Sequence, residues 1–567
     1  MGYTSLMNMD KRTNREDLPD ALKEDMRLKN IDIDLTLKIL NDYNAGLYDN
    51  VQQVRASGVP AIDGQTVVDV RKRHQKDAVL FWMPEDEARA NLAKFGLDLP
   101  KETTSFVANH TQVTSSKNPE SVQLSATTRT SSTIKTPGRM MEFTAMDLEK
   151  IGSALLPITG YGVLNGGSAT SYADTKKNLA LGEDVFAVLK TKFEKMALAC
   201  KDQPKGLTPA YINPDGSLGA SFLELKMRAR LEQFARLKAL GQEDPTVEEA
   251  LRATAEFMPL FQMTSAGNNA QLLEAYKTMA QSQLLKPLSQ ELGIESALWH
   301  TGVQNMIAAY THSSEGRPKR IFDHAYGKEN SSLALPGGHG QCFHVLSDVF
   351  KNLYAHGTRF VYLGNVDNIA YTPDPLELAL LALSGRPAAF EFSVRTPMDI
   401  KGGVLVRTEN GGYTIADIGP AISFEEVLRL EKEGNTILFN CAVGLFDLSY
   451  LVENLEELSR KLPVRFTDQD KDAGRYSQAE QVTWEVLGCL PSFLAFAVDK
   501  NERFLAAKLL IDTLLTSGVG LDDERLPVTL RNVAQNLHQG LVSLLKKTYG
   551  LVLSCGKWVP GESQGHS

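Results

Sequence analysis

The sequence predicts an α/β protein built around a parallel or mixed sheet. Two observations lead to this prediction: short apolar runs typical of buried strands alternate with longer segments of helical periodicity, and several of these runs end in asparagine or glycine. In such sheets, ligands bind beyond the carboxyl ends of the strands. The residues that follow each apolar run are therefore the first candidates for a binding site.

The organisation along the chain suggests three regions. Residues 1–138 are predicted to be mainly helical because 16–95 carry apolar residues at helical spacing, and the Ser/Thr-rich stretch 110–138 is typical of an irregular connector. Residues 139–500 form the predicted α/β domain. Residues 501–567 return to a helical pattern.

Within the α/β domain, individual runs are assigned in chain order. GYGVLN, FMPLFQMTS and RFVYLGN are predicted strands, because each is short, apolar and followed by polar residues. SFLELKMRARLEQFARLKALG, AQLLEAYKTMA and DPLELALLALSG are predicted helices. RFLAAKLLID, near the C-terminus, is also assigned to a helix.

Composition excludes several classes of function. The net charge of −9 disfavours nucleic-acid binding over the whole surface, since phosphate neutralisation needs clustered cations, although a local cationic pocket is compatible with it. No apolar run approaches the about eighteen residues of a membrane helix. The five cysteines are scattered without a CxxC pair, which disfavours disulfides and zinc. We therefore expect a cytoplasmic protein without nucleic-acid or membrane partners; its oligomeric state is not predicted.

The first candidate loop follows the GYGVL run. Asn165, Gly166 and Gly167 come where the strand should end, and backbone N–H groups there can hold a base edge or a phosphate. Lys176 and Lys177 could neutralise phosphate charge. The stretch is neither a Walker loop nor a GxGxxG motif, so a tight turn with two solvated lysines is the alternative interpretation.

Two further loops carry groups suited to phosphate chemistry. PGGHG places His339 among glycines, where it could contact a phosphate or a base, or could simply be exposed in a turn. Asn365 and Asp367 follow the RFVYLG strand. A carboxylate there suits Mg²⁺, which prefers oxygen ligands and substrate phosphates, and an Asx-type cap is the alternative.

The order of six short motifs, LNGG, MTS, PGGHG, NVDN, KGG and FN, resembles the UDP-sugar pyrophosphorylase family. This family includes UDP-glucose and UDP-N-acetylglucosamine pyrophosphorylases, and the resemblance extends from about Phe143 to Lys508. It implies a Rossmann-like mixed-sheet nucleotidyltransferase core. It also implies that UTP and a sugar-1-phosphate react to give a UDP-sugar and pyrophosphate, with Mg²⁺ as cofactor.

By matched position, the resemblance implies a set of site residues distributed over several loops. They are Leu164, Asn165, Gly166 and Gly167 in the nucleotide loop, the catalytic lysine Lys177 with Lys176 as its rival, Met263 and Thr264 at the uridine, Gly338 and His339 at the base and substrate phosphate, Asn365 with the metal ligand Asp367, Lys401, Gly402, Gly403 and Asn440 around the sugar, and a late phosphate-contacting lysine, Lys508.

The chain also departs from the family pattern. The family has GG-x-G-T followed by a Pro-Lys pair, whereas Ala169 replaces a glycine here and Lys176 stands where the proline is expected. A member that binds nucleotide sugars without turnover is therefore an alternative. The terminal β-helix domain of UDP-glucose members is not expected, because residues 509–567 have a helical pattern. Glucose-1-phosphate is the predicted sugar substrate; the acetylated amino sugar and broad specificity are alternatives.

Overall fold

The computed structural model describes residues 12–49, 54–100, 103–107, 139–167, 169, 172–179, 182–396 and 399–561. The predicted Ser/Thr-rich connector, residues 110–138, lies outside these residues. None of the helices in these ranges has the length and apolar character needed to cross a membrane.

The strands are short and mostly apolar. In chain order they are β1 Ala56–Gly58, β2 Val67–Asp69, β3 Val79–Pro84, β4 Ser105–Val107, β5 Arg139–Thr144, β6 Thr159–Leu164, β7 Leu260–Ser265, β8 Trp299–Gln304, β9 Met306–Ala308, β10 Tyr310–Thr311, β11 Ala334–Pro336, β12 Phe360–Asn365, β13 Ala388–Val394, β14 Gly403–Thr408, β15 Tyr413–Asp417, β16 Leu438–Asp447, β17 Arg465–Lys471, β18 Gly474–Glu480, β19 Leu494–Val498, β20 Leu551–Ser554 and β21 Lys557–Pro560.

The helices connect and cover these strands. In chain order they are α1 Asp20–Leu28, α2 Ile33–Asn44, α3 Glu85–Ala93, α4 Ala145–Leu155, α5 Thr175–Asn178, α6 Glu183–Cys200, α7 Phe222–Leu240, α8 Pro245–Ala253, α9 Asn269–Met279, α10 Lys286–Leu292, α11 Cys342–Val345, α12 Ser347–Ala355, α13 Pro375–Ser384, α14 Phe424–Lys432, α15 Leu448–Lys461, α16 Lys500–Arg503, α17 Leu510–Thr516 and α18 Val528–Lys547.

An 11-stranded sheet forms the centre of the molecule. Its main path runs β2-β19-β13-β16-β12-β6-β7-β8, and β14 joins β16 and carries β15 and β1. Neighbours on the main path are parallel except at β16, which is antiparallel to both β12 and β13. The predicted mixed α/β fold is confirmed.

The central strand β6 shows why the sequence folds this way. All six of its residues are buried, as expected for a parallel strand covered on both faces. A Cβ at Gly162 would lie 2.1 Å from Cζ of Phe261 in β7. Only a residue without a side chain therefore lets the Phe261 ring lie across the strand.

The predicted regions share one core. A single cluster of buried apolar residues extends from Val68 in the N-terminal region to Trp558 near the C-terminus and includes Tyr161 of β6. The N-terminal region also supplies β1 and β2 to the large sheet. The expectation of a mainly helical region thus overlooked strands between residues 56 and 84.

The C-terminal region also differs from its predicted helical pattern. α17 and α18 are helices, but residues 504–509 between α16 and α17 lie outside any helix, and the chain closes with the β20–β21 hairpin. Its two turn residues, Cys555 and Gly556, have φ values of 47° and 78°. Two successive positive φ angles give the turn that best joins twisted antiparallel strands.

Gly152 sets the distance between α4 and α13. A Cβ at this position would lie 1.7 Å from the backbone O of Pro375. We expect Gly152→Ala to lower the free energy of unfolding by about 2 kcal/mol or more, because the two helices must separate. Lys150→Ala, at an exposed position on the same helix, should change it by less than about 0.5 kcal/mol. Urea denaturation of both variants measures this, and equal stabilities would contradict the close approach.

Candidate active site

The carboxyl ends of the parallel strands meet at one edge of the large sheet. Leu164, the last residue of β6, pairs with Met263 of β7 and with Asn365 of β12. Because β16 runs in the opposite direction, its beginning lies at the same edge, where Asn440 pairs with Phe392. The predicted loops that follow β6, β7 and β12 are therefore neighbours.

The glycine loop, residues 165–167, begins at this edge with Asn165, whose side chain and carbonyl are held by hydrogen bonds. Asn165 is fully buried, its Nδ2 donates to Gln262 Oε1 at 3.2 Å, and its carbonyl accepts from Asn268 Nδ2 at 3.1 Å. Its Oδ1 has no hydrogen-bond partner among the described residues. Among the described residues, a Cβ on Gly166 would make only ordinary contacts, and one on Gly167 would meet nothing within 4 Å. The loop therefore leaves open space over its main chain.

Met263 and Thr264 support the glycine loop from β7. Both are buried, the carbonyl of Met263 accepts from the backbone N of Asn165 at 2.9 Å, and Thr264 Oγ1 donates to Asn269 Oδ1 at 2.9 Å. Their contact with uridine stays a prediction. Of the altered segment after Gly167, Ala169 is buried, while residues 168, 170 and 171 lie outside the described ranges.

Lys205 is the lysine that the structure brings to the glycine loop. Its backbone N donates to the carbonyl of Gly167 at 3.1 Å, and a Cβ on Gly206 would lie 2.5 Å from Asn165 Oδ1. Its Nζ donates to the carbonyl of Ala507 at 2.6 Å and lies 3.6 Å from Asp367 Oδ2. Pro204 and Lys205 form a Pro-Lys pair, separated from the glycines by α5 and α6.

Lys176 and Lys177, the lysines chosen from sequence, lie instead on the one-turn helix α5. Asp174 caps this helix by accepting from the backbone N of Lys177 at 2.8 Å, and both lysines are exposed. Among the described residues, Lys205 is the cation within 4 Å of Asp367. The geometry thus favours Lys205 over Lys177 as the phosphate-contacting lysine that the family resemblance implies.

Asp367 follows the end of β12 and is incompletely paired. Its Oδ2 is close to Lys205, whereas its Oδ1 is buried and has no hydrogen-bond partner in the described part of the chain. An unpartnered buried carboxylate oxygen is costly unless an unseen group satisfies it. Asn365, at the strand end, accepts from the backbone N of Asn368 at 3.3 Å and so closes the turn.

Backbone pairing joins the Asp367 turn to residues 504–509. Asn368 Nδ2 donates to the carbonyl of Arg503 at 2.9 Å, and its Oδ1 accepts from the backbone N of Leu505 at 3.1 Å. The backbone N of Ala507 donates to the carbonyl of Asp367 at 3.2 Å. The predicted helix around Lys508 is therefore wrong, because these groups pair with the turn instead of with a helical neighbour.

Two buried cations that the sequence analysis missed lie beneath this pairing. Lys226 of α7 donates to the carbonyls of Asn368 and Tyr371, each at 2.6 Å. Burial lowers the pKa of Lys226 well below its usual range, and Arg503 lowers it further. Arg503 in turn pairs with Glu391. The signal that could have identified Lys226 is the presence of a lysine in α7, a helix that is almost continuously buried.

The PGGHG loop lies flat against the backbone after β18. Gly338 has φ +84°, and a Cβ there would lie 2.3 Å from the carbonyl O of Gln481. The backbone N of Gly340 donates to that carbonyl at 2.8 Å. Gln304, at the end of β8, donates to the carbonyl of Gly338 at 2.8 Å and so ties this loop to the sheet edge.

His339 belongs to the same charged cluster as Asp367. The pKa of His339 is lowered to about 4, chiefly by burial and then by the positive charge of Lys508, while Asp367 opposes the shift. Lys508 likewise lowers the pKa of Lys205, for which burial is the larger cause. Asp367 and Lys508 thus act electrostatically on both His339 and Lys205.

The sugar-side loop, residues 401–403, is the loop predicted to bind the sugar. It is linked to the charged cluster by Asp417, which pairs with the loop and is affected by the charge of Lys508. Gly402 has φ +131°, and Gly403 pairs with Asp417 of β15. A Cβ on Gly403 would lie 3.6 Å from Cβ of Asn440, so the two predicted sugar-side elements are adjacent. Burial raises the pKa of Asp417, and Lys508 opposes this rise. Lys401 is exposed at the start of the loop.

Comparisons with known proteins show which enzymes the chain resembles. A family model described as UTP–glucose-1-phosphate uridylyltransferase matches residues 276–552. The UTP–glucose-1-phosphate uridylyltransferase of Encephalitozoon cuniculi is 26% identical over 191 residues, which are 32% of this chain and 36% of that protein. The enzyme of the same name from Solanum tuberosum is 27% identical over 185 residues, 32% of this chain and 38% of that protein.

The chain is therefore similar to UDP-sugar pyrophosphorylases over residues 276–552. It matches little more than a third of the length of these curated relatives. The match to the family model contains β8, the PGGHG loop, the Asp367 turn, the sugar-side loop and Lys508, whereas the glycine loop and Lys205 precede it.

Solved structures of UDP-sugar pyrophosphorylases also align with the chain. A UDP-N-acetylglucosamine pyrophosphorylase from Trypanosoma brucei is 15% identical, with 70% of this chain and 73% of that chain covered at a TM-score of 0.47. A UDP-glucose pyrophosphorylase from Leishmania major, solved with UDP-glucose, is 19% identical, with 64% and 66% covered at a TM-score of 0.43.

The electrostatic effect of Lys508 on His339 can be tested directly. We expect Lys508→Met to raise the pKa of His339, because the variant removes a positive charge that opposes protonation. Asp367→Asn should lower it further, and Lys508→Arg should leave it nearly unchanged. NMR titration of the histidine ring measures all three. If the pKa of His339 were unchanged in both Lys508→Met and Asp367→Asn, His339 would not interact electrostatically with these two residues.

Proposed function

We propose that this chain transfers a uridylyl group from UTP to a sugar-1-phosphate, with glucose-1-phosphate as the sugar substrate, and releases pyrophosphate. The observation that supports this most is the gathering of Lys205, Lys508, His339 and Asp367 beside the open glycine loop. Two polyanions can be brought together only where cations and hydrogen-bond donors offset their repulsion. The similarity to UTP–glucose-1-phosphate uridylyltransferases supports the same reaction.

The proposed chemistry depends on positioning and charge. A phosphate oxygen of the sugar-1-phosphate attacks the α-phosphorus of UTP in line, the bond to the β-phosphate oxygen breaks, and pyrophosphate leaves with the electron pair. The glycine loop would receive the nucleotide, Lys205 and Lys508 would offset charge on the phosphates, and Asn440 and the Gly402–Gly403 backbone would bind the sugar hydroxyls. No side chain needs to form a covalent bond.

Mg²⁺ is the proposed cofactor, held by Asp367. The unpartnered, buried Oδ1 of this carboxylate fits a hard cation that takes oxygen ligands. No group of three or more His, Cys, Asp or Glu side chains within the described ranges forms a metal site. Substrate phosphates and water would therefore complete the coordination. When bound, the ion would supply positive charge to the phosphates.

Turnover assays test the proposed reaction. With Mg²⁺ and UTP, we expect pyrophosphate release to be fastest with glucose-1-phosphate and slower with N-acetylglucosamine-1-phosphate and galactose-1-phosphate. A coupled pyrophosphate assay measures the rates. Asp367→Asn, prepared identically, controls for contaminating activity and should be inactive. The proposal fails if no sugar phosphate gives pyrophosphate while calorimetry detects UDP-glucose binding, since the chain would then be a binding protein.

Substitution of the lysines tests which one faces the phosphates. Lys205→Gln should lower kcat by about a hundredfold, the loss expected when one charge contact of about 3 kcal/mol is removed from a water-excluded site. Lys176→Gln and Lys177→Gln should each lower it less than about tenfold. Parallel steady-state kinetics with matched thermal-melting curves decide the question. A larger loss in Lys177→Gln would restore the assignment made from sequence.

A further inference from the structure

Thr483 makes three contacts with a single residue, His339. Thr483 is completely buried and begins the short 3₁₀ segment Thr483–Cys489. Its backbone N donates to His339 Nδ1 at 3.2 Å, and its Oγ1 lies 2.7 Å from the same nitrogen. Its Oγ1 is also placed to donate to the carbonyl of His339 at 2.8 Å. The threonine thus holds both the ring and the backbone of the histidine.

The direction of these bonds determines where the ring hydrogen lies. A backbone N–H can only donate, so Nδ1 accepts the bond from Thr483 N through its lone pair. The single hydroxyl hydrogen of Thr483 is then shared between Nδ1 and the carbonyl of His339, because both lie within hydrogen-bond distance of Oγ1. In a neutral imidazole the hydrogen then lies on Nε2. In the described part of the chain, no residue accepts a hydrogen bond from Nε2. This N–H group is the one that His339 can offer to a ligand.

We propose that Thr483 is a positioning residue, which holds His339 as a neutral imidazole whose Nε2–H donates to a phosphate oxygen of the bound substrates. This inference rests on the proposed function. In this role the hydrogen stays on Nε2, and the ring neither gains nor loses a proton during the reaction. His339 supplies a directed hydrogen bond, and the positive charge comes from Lys205 and Lys508.

The surroundings of the ring favour the neutral form. Burial and Lys508 lower the pKa of His339 to about 4, and Asp367 is the charged group that opposes them. Since this pKa lies below the usual histidine value, the neutral ring persists through neutral pH and is lost only in acid. We therefore expect no ionisation of His339 in the profile of kcat/KM against pH between about 5 and 8.

Removal of the hydroxyl tests the positioning role. Thr483→Val keeps the side-chain shape and the backbone N–H but removes Oγ1. We expect kcat to fall about tenfold or more, as for other misplaced catalytic groups, with a smaller change in the KM for UTP. Thr483→Ser restores the hydroxyl and should recover kcat to within about twofold. Thr483→Val leaves Nδ1 only the longer backbone bond of 3.2 Å and removes the hydroxyl contact of 2.7 Å. ¹⁵N NMR of the His339 ring, assigned with His339→Gln, should therefore show the Nε2–H tautomer in the wild type and a mixture in Thr483→Val.

Thr159→Val is the matched control. Thr159 is equally buried, and its hydroxyl donates to the carbonyl of Leu155 at 2.9 Å, at the opposite end of β6 from the site. Thr159→Val should lower the free energy of unfolding without lowering kcat. The proposal is overturned if Thr483→Val keeps wild-type kcat and tautomer, if Thr159→Val loses as much kcat, or if Thr483→Ser fails to recover. The NMR measurement needs no turnover, so it remains decisive even if the proposed reaction is absent.

Discussion

The pairing of the Asp367 turn with residues 504–509 is the interaction on which the candidate site depends. Asn368 lies at its centre, because its side chain binds backbone groups of both Arg503 and Leu505. Buried backbone groups must be paired, so the two segments are held together although they are far apart in sequence. The pairing brings Lys508 and the carbonyl that binds Lys205 to the same place as Asp367.

The strand ends could be predicted from the sequence alone. β6, β7 and β12 are short apolar runs followed by small or polar residues, and each was found where its pattern indicated. Parallel strands bring the residues that follow them to one edge, which explains why Asn165, Met263 and Asn365 are neighbours. The periodicity of the sequence predicts each strand and the residue at which it ends. The topology of the sheet then brings the loops that follow these strands together.

The residues that were missed, and the one assigned to the wrong element, depend on contacts that periodicity does not encode. The helices α5 and α6 separate Lys205 from the glycine loop in the sequence. The spacing therefore did not indicate that this lysine lies beside the glycines. Lys508 stands in an apolar run that has a helical pattern, but its neighbours pair with the Asp367 turn. Thr483 matters because of one residue, His339, that lies 144 positions away. Each case is decided by a long-range hydrogen bond, which no local pattern reveals.

The charge distribution supports the proposed binding of polyanions at this edge by a protein of net charge −9. Lys205 and Lys508 repel each other, and Asp367 is the carboxylate in contact with the first of them. The nearby carboxyls ionise less readily than usual, since burial raises the pKa of Asp417 and raises that of Asp512 to about 6. Phosphate groups bound here would relieve the repulsion between the two ammonium groups. A neutral His339 adds a donor without adding to that repulsion, so the same electrostatics that favour phosphates also keep the imidazole uncharged.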